Sequence, residues 1–283
     1  MKQFDRLYSF TTENISGYID KFDLKNKTLL TVGSSADQVI DASLKGLKSA
    51  TILDISPNTK YYYYLKLAAL ISLSMEEYLT FLCPTHYKEY YRINRELFNI
   101  DSYNKIKDTL KNLNNEAFEF WDNIFNTFTY SEILANYFIN DTMSSHNIIN
   151  SNLYLSSSIL FDDTKTKIKN INIRFITDNI KSVKLTKRYD NIWLSNVCDY
   201  MALDDFVDSV TYLSHRLNID GKMLVAYLYN ISYHNHRLKT CKDCFNFSDL
   251  KSKLNNHKVE VRTTTFEGVT ENKKDAILIY KKH

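Results

Sequence analysis

Apolar positions along this chain fall in two rhythms. Leu29, Leu30 and Val32 form a short run that stops at Gly33, as in a strand buried on both faces. Small residues follow, Ser34, Ser35 and Ala36, and from Asp37 to Leu47 the apolar residues Val39, Ile40, Leu44 and Leu47 recur at helical spacing. Ala50 to Ile55 is a second apolar run, closing on Asp54. Pro57 suits the first turn of another helix, with Ser56 as its cap, and TKYYYYLKLAALISLSMEEYLTFL continues it. Four consecutive tyrosines cannot face one way: Tyr61, Tyr64, Leu65 and Ala68 share a face, and Tyr62 and Tyr63 lie elsewhere. Core packing accounts for most of them.

Before the first strand, Met1 to Asp23 carries Phe4, Leu7, Tyr8, Phe10, Ile15, Tyr18, Ile19 and Phe22 at roughly helical spacing. It reads as a helix packed on the sheet edge, or as a lid with Tyr8 or Tyr18 facing a ligand. From 74 to 165 the pattern is mostly helical, and a connection of that size between the second and third strands is far beyond a normal loop. The strand rhythm resumes at Ile171 to Ile176 and Tyr189 to Asn196, then, after a helix over Leu203 to Leu217, at Gly221 to Tyr229. Phe247 to Leu254 is a further helix, and KVEVRTTTF and DAILIYKK pair as strands around EGVTENKK. The implied division is an N-terminal helical segment or lid (1–27), an α/β domain (28–73 with 166–283) and a helical insertion (74–165) on the acceptor side.

A carboxylate about 20 residues past a glycine turn, in a βαβ unit, is how nucleotide-type folds hold a ribose. Here that carboxylate is Asp54 and the glycine is Gly33. Only Gly33 is present where a dinucleotide site shows three glycines, which disfavours a pyrophosphate at the helix N-terminus. Adenosine without phosphates makes weaker demands on the turn and favours S-adenosylmethionine (SAM) over NAD. A buried βαβ unit with an incidental Asp shows the same pattern.

Composition narrows the classes. The chain has 283 residues, 44% hydrophobic and 24% charged, enough for one large domain or one domain with an insertion. Lys and Arg number 36 against 33 Asp and Glu, so no basic footprint argues for nucleic acid. No apolar run approaches the roughly 20 residues that span a bilayer, and peripheral membrane contact stays open. The four scattered cysteines do not make a disulfide framework, which makes a reducing cytoplasm the expected compartment.

The element order resembles that of class I SAM-dependent methyltransferases across 28–282. The resemblance implies a Rossmann-like α/β fold, mainly parallel, with a C-terminal antiparallel hairpin and here a large helical insertion between strands two and three. Narrower segments, DISPNTKYYYYLKLAALISLSMEEYLTFL and LSNVCDYM, resemble the bacterial family containing the SAM:diacylglycerol 3-amino-3-carboxypropyl transferase of betaine-lipid synthesis. Leu65 to Ala69, Leu194 to Asn196, Asp199 and Tyr200 carry that match. Ser56 stands where the family has Asn, and the first turn, GSSAD, is not glycine-rich.

The resemblance implies SAM as co-substrate, with Gly33, Ser34, Ser35 and Ala36 beside its methionine part and Asp54 on the ribose. It places Ile55 and Asp178 at the adenine, and Asn196 with them in the cofactor site. Asp199 is the candidate base and Tyr200 the candidate positioning group, at the strand end where open α/β sheets bind ligands. Asp178 reads equally as a turn residue. His234, His236, Cys241 and Cys244 have metal-ligand chemistry in an unfamiliar spacing, and a solvated loop is the simpler reading, so no metal is expected. The function expected is SAM-dependent alkyl transfer, of the 3-amino-3-carboxypropyl group, to a small-molecule or lipid acceptor. A small-molecule methyltransferase is the alternative, and a non-catalytic SAM-binding or scaffold protein is another.

Overall fold

The computed structural model describes residues 6–33, 35–84, 96–139, 144–229, 231, 247–254, 259–269 and 273–282. Seven strands, β1 (Thr28–Val32), β2 (Ser49–Asp54), β3 (Asn172–Thr177), β4 (Tyr189–Trp193), β5 (Leu217–Leu228), β6 (Val259–Glu267) and β7 (Lys274–Lys282), form one sheet. The order is β3-β2-β1-β4-β5-β7-β6. The helices are α1 (Ile15–Tyr18), α2 (Asp37–Leu44), α3 (Asn58–Ser72), α4 (Met75–Leu82), α5 (Ile100–Leu113) and α6 (Asn115–Thr127). They continue with α7 (Tyr130–Tyr137), α8 (Ser145–Ser151), α9 (Ser158–Lys167), α10 (Leu203–Ser214) and α11 (Phe247–Leu254). By contacts the chain divides into a sheet unit (13–32, 45–53 and 170–283) and a helical unit (1–12, 33–44 and 54–169).

In the sheet unit β1 lies between β2 and β4, parallel to both, which is why its apolar run has no polar face. β4 and β5 are also parallel, whereas β7 runs antiparallel to both β5 and β6. This is the mainly parallel Rossmann-like sheet with a C-terminal antiparallel hairpin that the sequence led us to expect. Ile192, Val210, Leu213, Met223 and Leu278 share one core, and α10 packs on α11 and β5.

Several boundaries differ from expectation. The N-terminal segment is not one helix: α1 and a 3₁₀ turn over Ile19–Lys21 are its only helical parts among the described residues. Asn14 caps α1 by accepting the Gly17 N–H at 3.0 Å, and Asn14 N–H donates to Tyr227 Oη at 2.9 Å. Tyr18 is fully buried. Its ring packs edge-on against Trp193 and Tyr227 in the core. β4 stops at Trp193 because Ser195 takes a left-handed backbone (φ 57°), and β5 begins early, at Leu217. Gly221 therefore sits inside a strand, where the β4–β5 register slips between Tyr189↔Leu217 and Asn191↔Lys222. A Cβ there would lie 3.0 Å from Asp190 O, and glycine is what lets the strands pass.

In the helical unit, boundaries are set by Asn and Ser rather than by Gly and Pro, of which the chain has 5 and 2. Ser74 and Glu77 form a capping box at α4, and Asn99 and Asn114 cap α5 and α6. Pro57 occupies the N-cap position of α3, and Ser56 Oγ accepts the Asn58 N–H at 3.3 Å. Tyr103, Ile106 and Leu110 of α5 and Ala117, Trp121 and Ile124 of α6 are buried at three- and four-residue spacing, and both helices pack on α3. The tyrosine run follows from this: Tyr62 and Tyr63 are buried, whereas the exposed side holds Tyr61 against Glu116.

Candidate functional site

In the helical unit the first feature is a close approach of two chain segments. Gly33, directly after β1, has no room for a side chain: a Cβ would lie 2.5 Å from Asp54 Oδ2 and 2.5 Å from Thr59 Cγ2. Asp54 is half-buried, and its Oδ1 accepts the Ser56 N–H at 2.9 Å, which fixes the carboxylate against the glycine. Ile55, next in the chain, is exposed. Beyond Gly33 the backbone turns through Ala36 in the left-handed region (φ 69°), a conformation costing about 1 kcal/mol for a residue with a Cβ. Ser35 Oγ, Gln38 Oε1 and Thr59 Oγ1 are buried with no hydrogen-bond partner among the described residues. A glycine cradle, a fixed carboxylate and three orphaned polar atoms fit the adenosyl part of SAM, which brings vicinal hydroxyls and further polar groups. Ser34 lies outside the described residues.

A second feature escaped the sequence reading. Lys66 of α3 and Asp37 of α2 are both 0% exposed and pair at 2.6 Å. Lys66 Nζ also donates to Ser35 O at 2.9 Å and Ser9 O at 2.8 Å. Asp37 accepts the Thr11 N–H at 2.7 Å and the Tyr154 hydroxyl at 2.9 Å. One turn along α2, Asp41 accepts the backbone N–H groups of Leu153 and Tyr154, and burial pushes its carboxyl up to about 8. Burial likewise lowers the Lys66 ammonium, against the opposing pull of Asp37. The signal in the sequence was a lysine inside the apolar run YYYYLKLAAL.

The sheet unit carries a third group, after β4. Asn196 and Asp199 belong to a 3₁₀ turn, Val197–Tyr200 with Asn196 at its start, where Asp199 N–H donates to Asn196 O at 2.9 Å. Tyr200 is 57% exposed. Ser195 Oγ donates to Glu13 Oε1, and Tyr18 Oη donates to Glu13 Oε2 at 3.1 Å. Burial pushes the Glu13 carboxyl up to about 7 against these two bonds, and the Asp199 charge adds to the rise. Glu13 was not foreseen, and nothing in TTENIS distinguishes it from a surface glutamate. Asp178 follows β3, where its Oδ1 accepts the Asn179 N–H at 2.7 Å and the Ser182 hydroxyl at 3.0 Å, the bonds of a local turn.

Glu13 sets a pH dependence. Folded, it holds a proton up to about pH 7, whereas an ordinary glutamate, at 4.5, releases it earlier. Folding therefore takes up a proton between these values, and stability falls as pH rises through that window. Glu13→Gln should remove this share, flattening the decline by at most about 1.4 kcal/mol per pH unit. Urea unfolding at pH 5, 6, 7 and 8 reads it; parallel curves for the two proteins would show that Glu13 is not the group responsible.

His234, His236, Cys241 and Cys244 lie outside the described residues. Among the described residues no cluster of three or more His, Cys, Asp or Glu is arranged to hold a metal. No helix among them is long and apolar enough to cross a membrane. No family model matches this chain, and no curated protein matches it in sequence, so the narrower likeness to the betaine-lipid family finds no support. Among solved structures it is similar to N-methyltransferase NodS from Bradyrhizobium japonicum WM9 with bound S-adenosyl-L-homocysteine, at 7% identity and TM-score 0.42, covering 91% of this chain and 79% of that one. Magnesium protoporphyrin IX methyltransferase ChlM from Synechocystis PCC 6803 with bound SAH gives 9% identity and TM-score 0.44, over 94% of this chain and 78% of that one. A TehB-like SAM-dependent methyltransferase from Corynebacterium glutamicum ATCC 13032 Kitasato gives 10% identity and TM-score 0.43, over 96% and 89%.

Proposed function

We propose that this chain is a SAM-dependent methyltransferase acting on a small molecule. The observation that carries the reading is the Asp54 carboxylate held against Gly33, with no space for a methyl group between them. Bound SAM supplies a carbon on a sulfonium, with a leaving group that is already good. What the chain adds is alignment and a place for a proton. Asp54 accepts hydrogen bonds from the ribose hydroxyls, and Ser35, Gln38 and Thr59 offer polar atoms that have no partner among the described residues. In the sheet unit, Asp199 is the proposed base and Tyr200 the positioning group. Glu13, joined to Ser195, is the group there that exchanges a proton near neutral pH.

Transfer of the 3-amino-3-carboxypropyl group is the finer reading that the sequence favoured. Its support was Leu65 to Ala69 and the segment after β4. In the structure Leu65 to Ala69 are buried packing residues of α3, and Lys66 serves the internal ion pair. Those residues carry no preference between the methyl and the aminocarboxypropyl carbon on sulfur, and the reading proposed is therefore methyl transfer.

The test is mass spectrometry of the nucleoside formed from SAM by the purified protein in a cell extract. S-adenosylhomocysteine above the no-enzyme control is expected. Methylthioadenosine instead would establish aminocarboxypropyl transfer. Neither product, with no SAM binding by calorimetry, would leave the scaffold reading.

A further inference from the structure

Beneath the loop that follows β1 lies a buried charge with no place in the chemistry above. Lys66 Nζ has three donors, and all three are spent inside the protein, on Asp37 Oδ1, Ser35 O and Ser9 O. Tyr62 Oη donates to the same Ser9 oxygen at 2.6 Å, and the Phe10 ring centroid is 4.0 Å from the ammonium. Asp37 in turn accepts the Thr11 N–H. One ion pair therefore grips two separate pieces of chain: the turn Ser35–Asp37, and the N-terminal stretch Ser9–Thr11.

A glycine-rich turn keeps its shape because its residues accept unusual backbone angles without strain. This turn has Ser35 and Ala36 in its place, with Ala36 left-handed. Such a conformation persists only where the surroundings over-determine it. The Ser35 carbonyl on Lys66 and the Asp37 carboxylate on the same ammonium bracket Ala36 on both sides. The Ala36 carbonyl is fixed as well, accepting from Val39 and Ile40 at the start of α2.

We infer that Lys66 is a positioning residue for SAM. It holds the turn after β1 in its binding shape, the part that extra glycines play elsewhere, and couples that turn to residues 9–11. The inference rests on the SAM reading above. It implies that SAM protects the Ser9–Thr11 amides from exchange as well as those of Ser35–Asp37.

Lys66→Met alone leaves Asp37 buried without its partner and can fail to fold, so the informative protein is Lys66→Met/Asp37→Asn. It removes both charges; the Asn oxygen can still accept the Thr11 N–H, and its amide N–H can donate to the Tyr154 hydroxyl, which then accepts. SAM titration by calorimetry, melting curves, and hydrogen exchange with and without SAM are read on wild type and on this variant. The expected result is a variant melting close to wild type that binds SAM at least tenfold more weakly and shows no SAM-dependent protection at residues 9–11. A folded variant that binds SAM within threefold of wild type, or keeps the protection, overturns the inference alone. A wild type that binds no SAM overturns the SAM reading and the inference with it. A variant whose binding falls only as far as its melting point does is a structural effect, and also overturns it.

Discussion

Gly33→Ala should abolish SAM binding in a protein that still folds. The added methyl would sit 2.5 Å from Asp54 Oδ2 and Thr59 Cγ2 and 2.9 Å from Asp54 Cβ. The carboxylate end can swing away, but Asp54 Cβ and the Thr59 side chain at the start of α3 cannot move without the chain that carries them. Overpacking of this kind costs roughly 1–3 kcal/mol of stability. It also drives the carboxylate from the place where it meets the ribose. Each charge-assisted bond to a hydroxyl is worth about 1.5–3 kcal/mol, so loss of two corresponds to roughly 100-fold or more in affinity. Asp54→Ala should lose the bonds without the clash: binding falls by a similar factor, and melting changes little. Calorimetric titration with SAM beside a melting curve separates the two effects. Binding within threefold of wild type in Gly33→Ala would mean that the close approach has no part in holding the cofactor.

Lys66→Met should be the most destabilising of the changes considered. The lysine and Asp37 are both 0% exposed, so removing one charge strands the other in a medium that cannot solvate it. Breaking a buried pair in this way costs about 3–5 kcal/mol, whereas replacing both members is often nearly neutral. For a chain of this size, a loss of that order lowers the melting temperature by roughly 10 °C, at about 2–4 °C per kcal/mol. Urea unfolding of the single and the paired variant gives the comparison. If Lys66→Met loses less than about 1 kcal/mol, the ammonium is reaching water and the pair is not the buried hub described above.

What could be read from the sequence was what is local. Leu29 to Gly33 and Ala50 to Asp54 announce strands because a strand covered on both faces has no polar alternation, and the spacing from Gly33 to Asp54 is a property of one βαβ unit. The helices of residues 100–137 show their buried stripe directly. What escaped were partnerships across the chain. Asp37 and Lys66 are 29 positions apart, and Glu13 and Ser195 are 182 apart. No periodicity links such residues. The N-terminal stretch misled for the same reason: its apolar spacing suits a helix, but Ser9 and Thr11 spend their backbone groups on Lys66 and Asp37, which hold the chain out of a helix. The shared segment Leu65 to Ala69 suggested an activity, yet its residues are explained by burial.

The sheet order also has a consequence for the chain as it leaves the ribosome. β1 pairs with β4, and Thr28 meets Asp190 across 162 positions. One side of β1 therefore stays unpaired until the chain 162 positions further on has been made. Among the described residues, α3, α5 and α6 by contrast pack on one another without any later segment. Vectorial synthesis thus lets these helices pack while a nascent two-stranded sheet edge waits for its neighbour, and an exposed apolar edge is what chaperones bind. β7 then enters between β5 and β6, so a strand made after both of its neighbours closes the sheet from within.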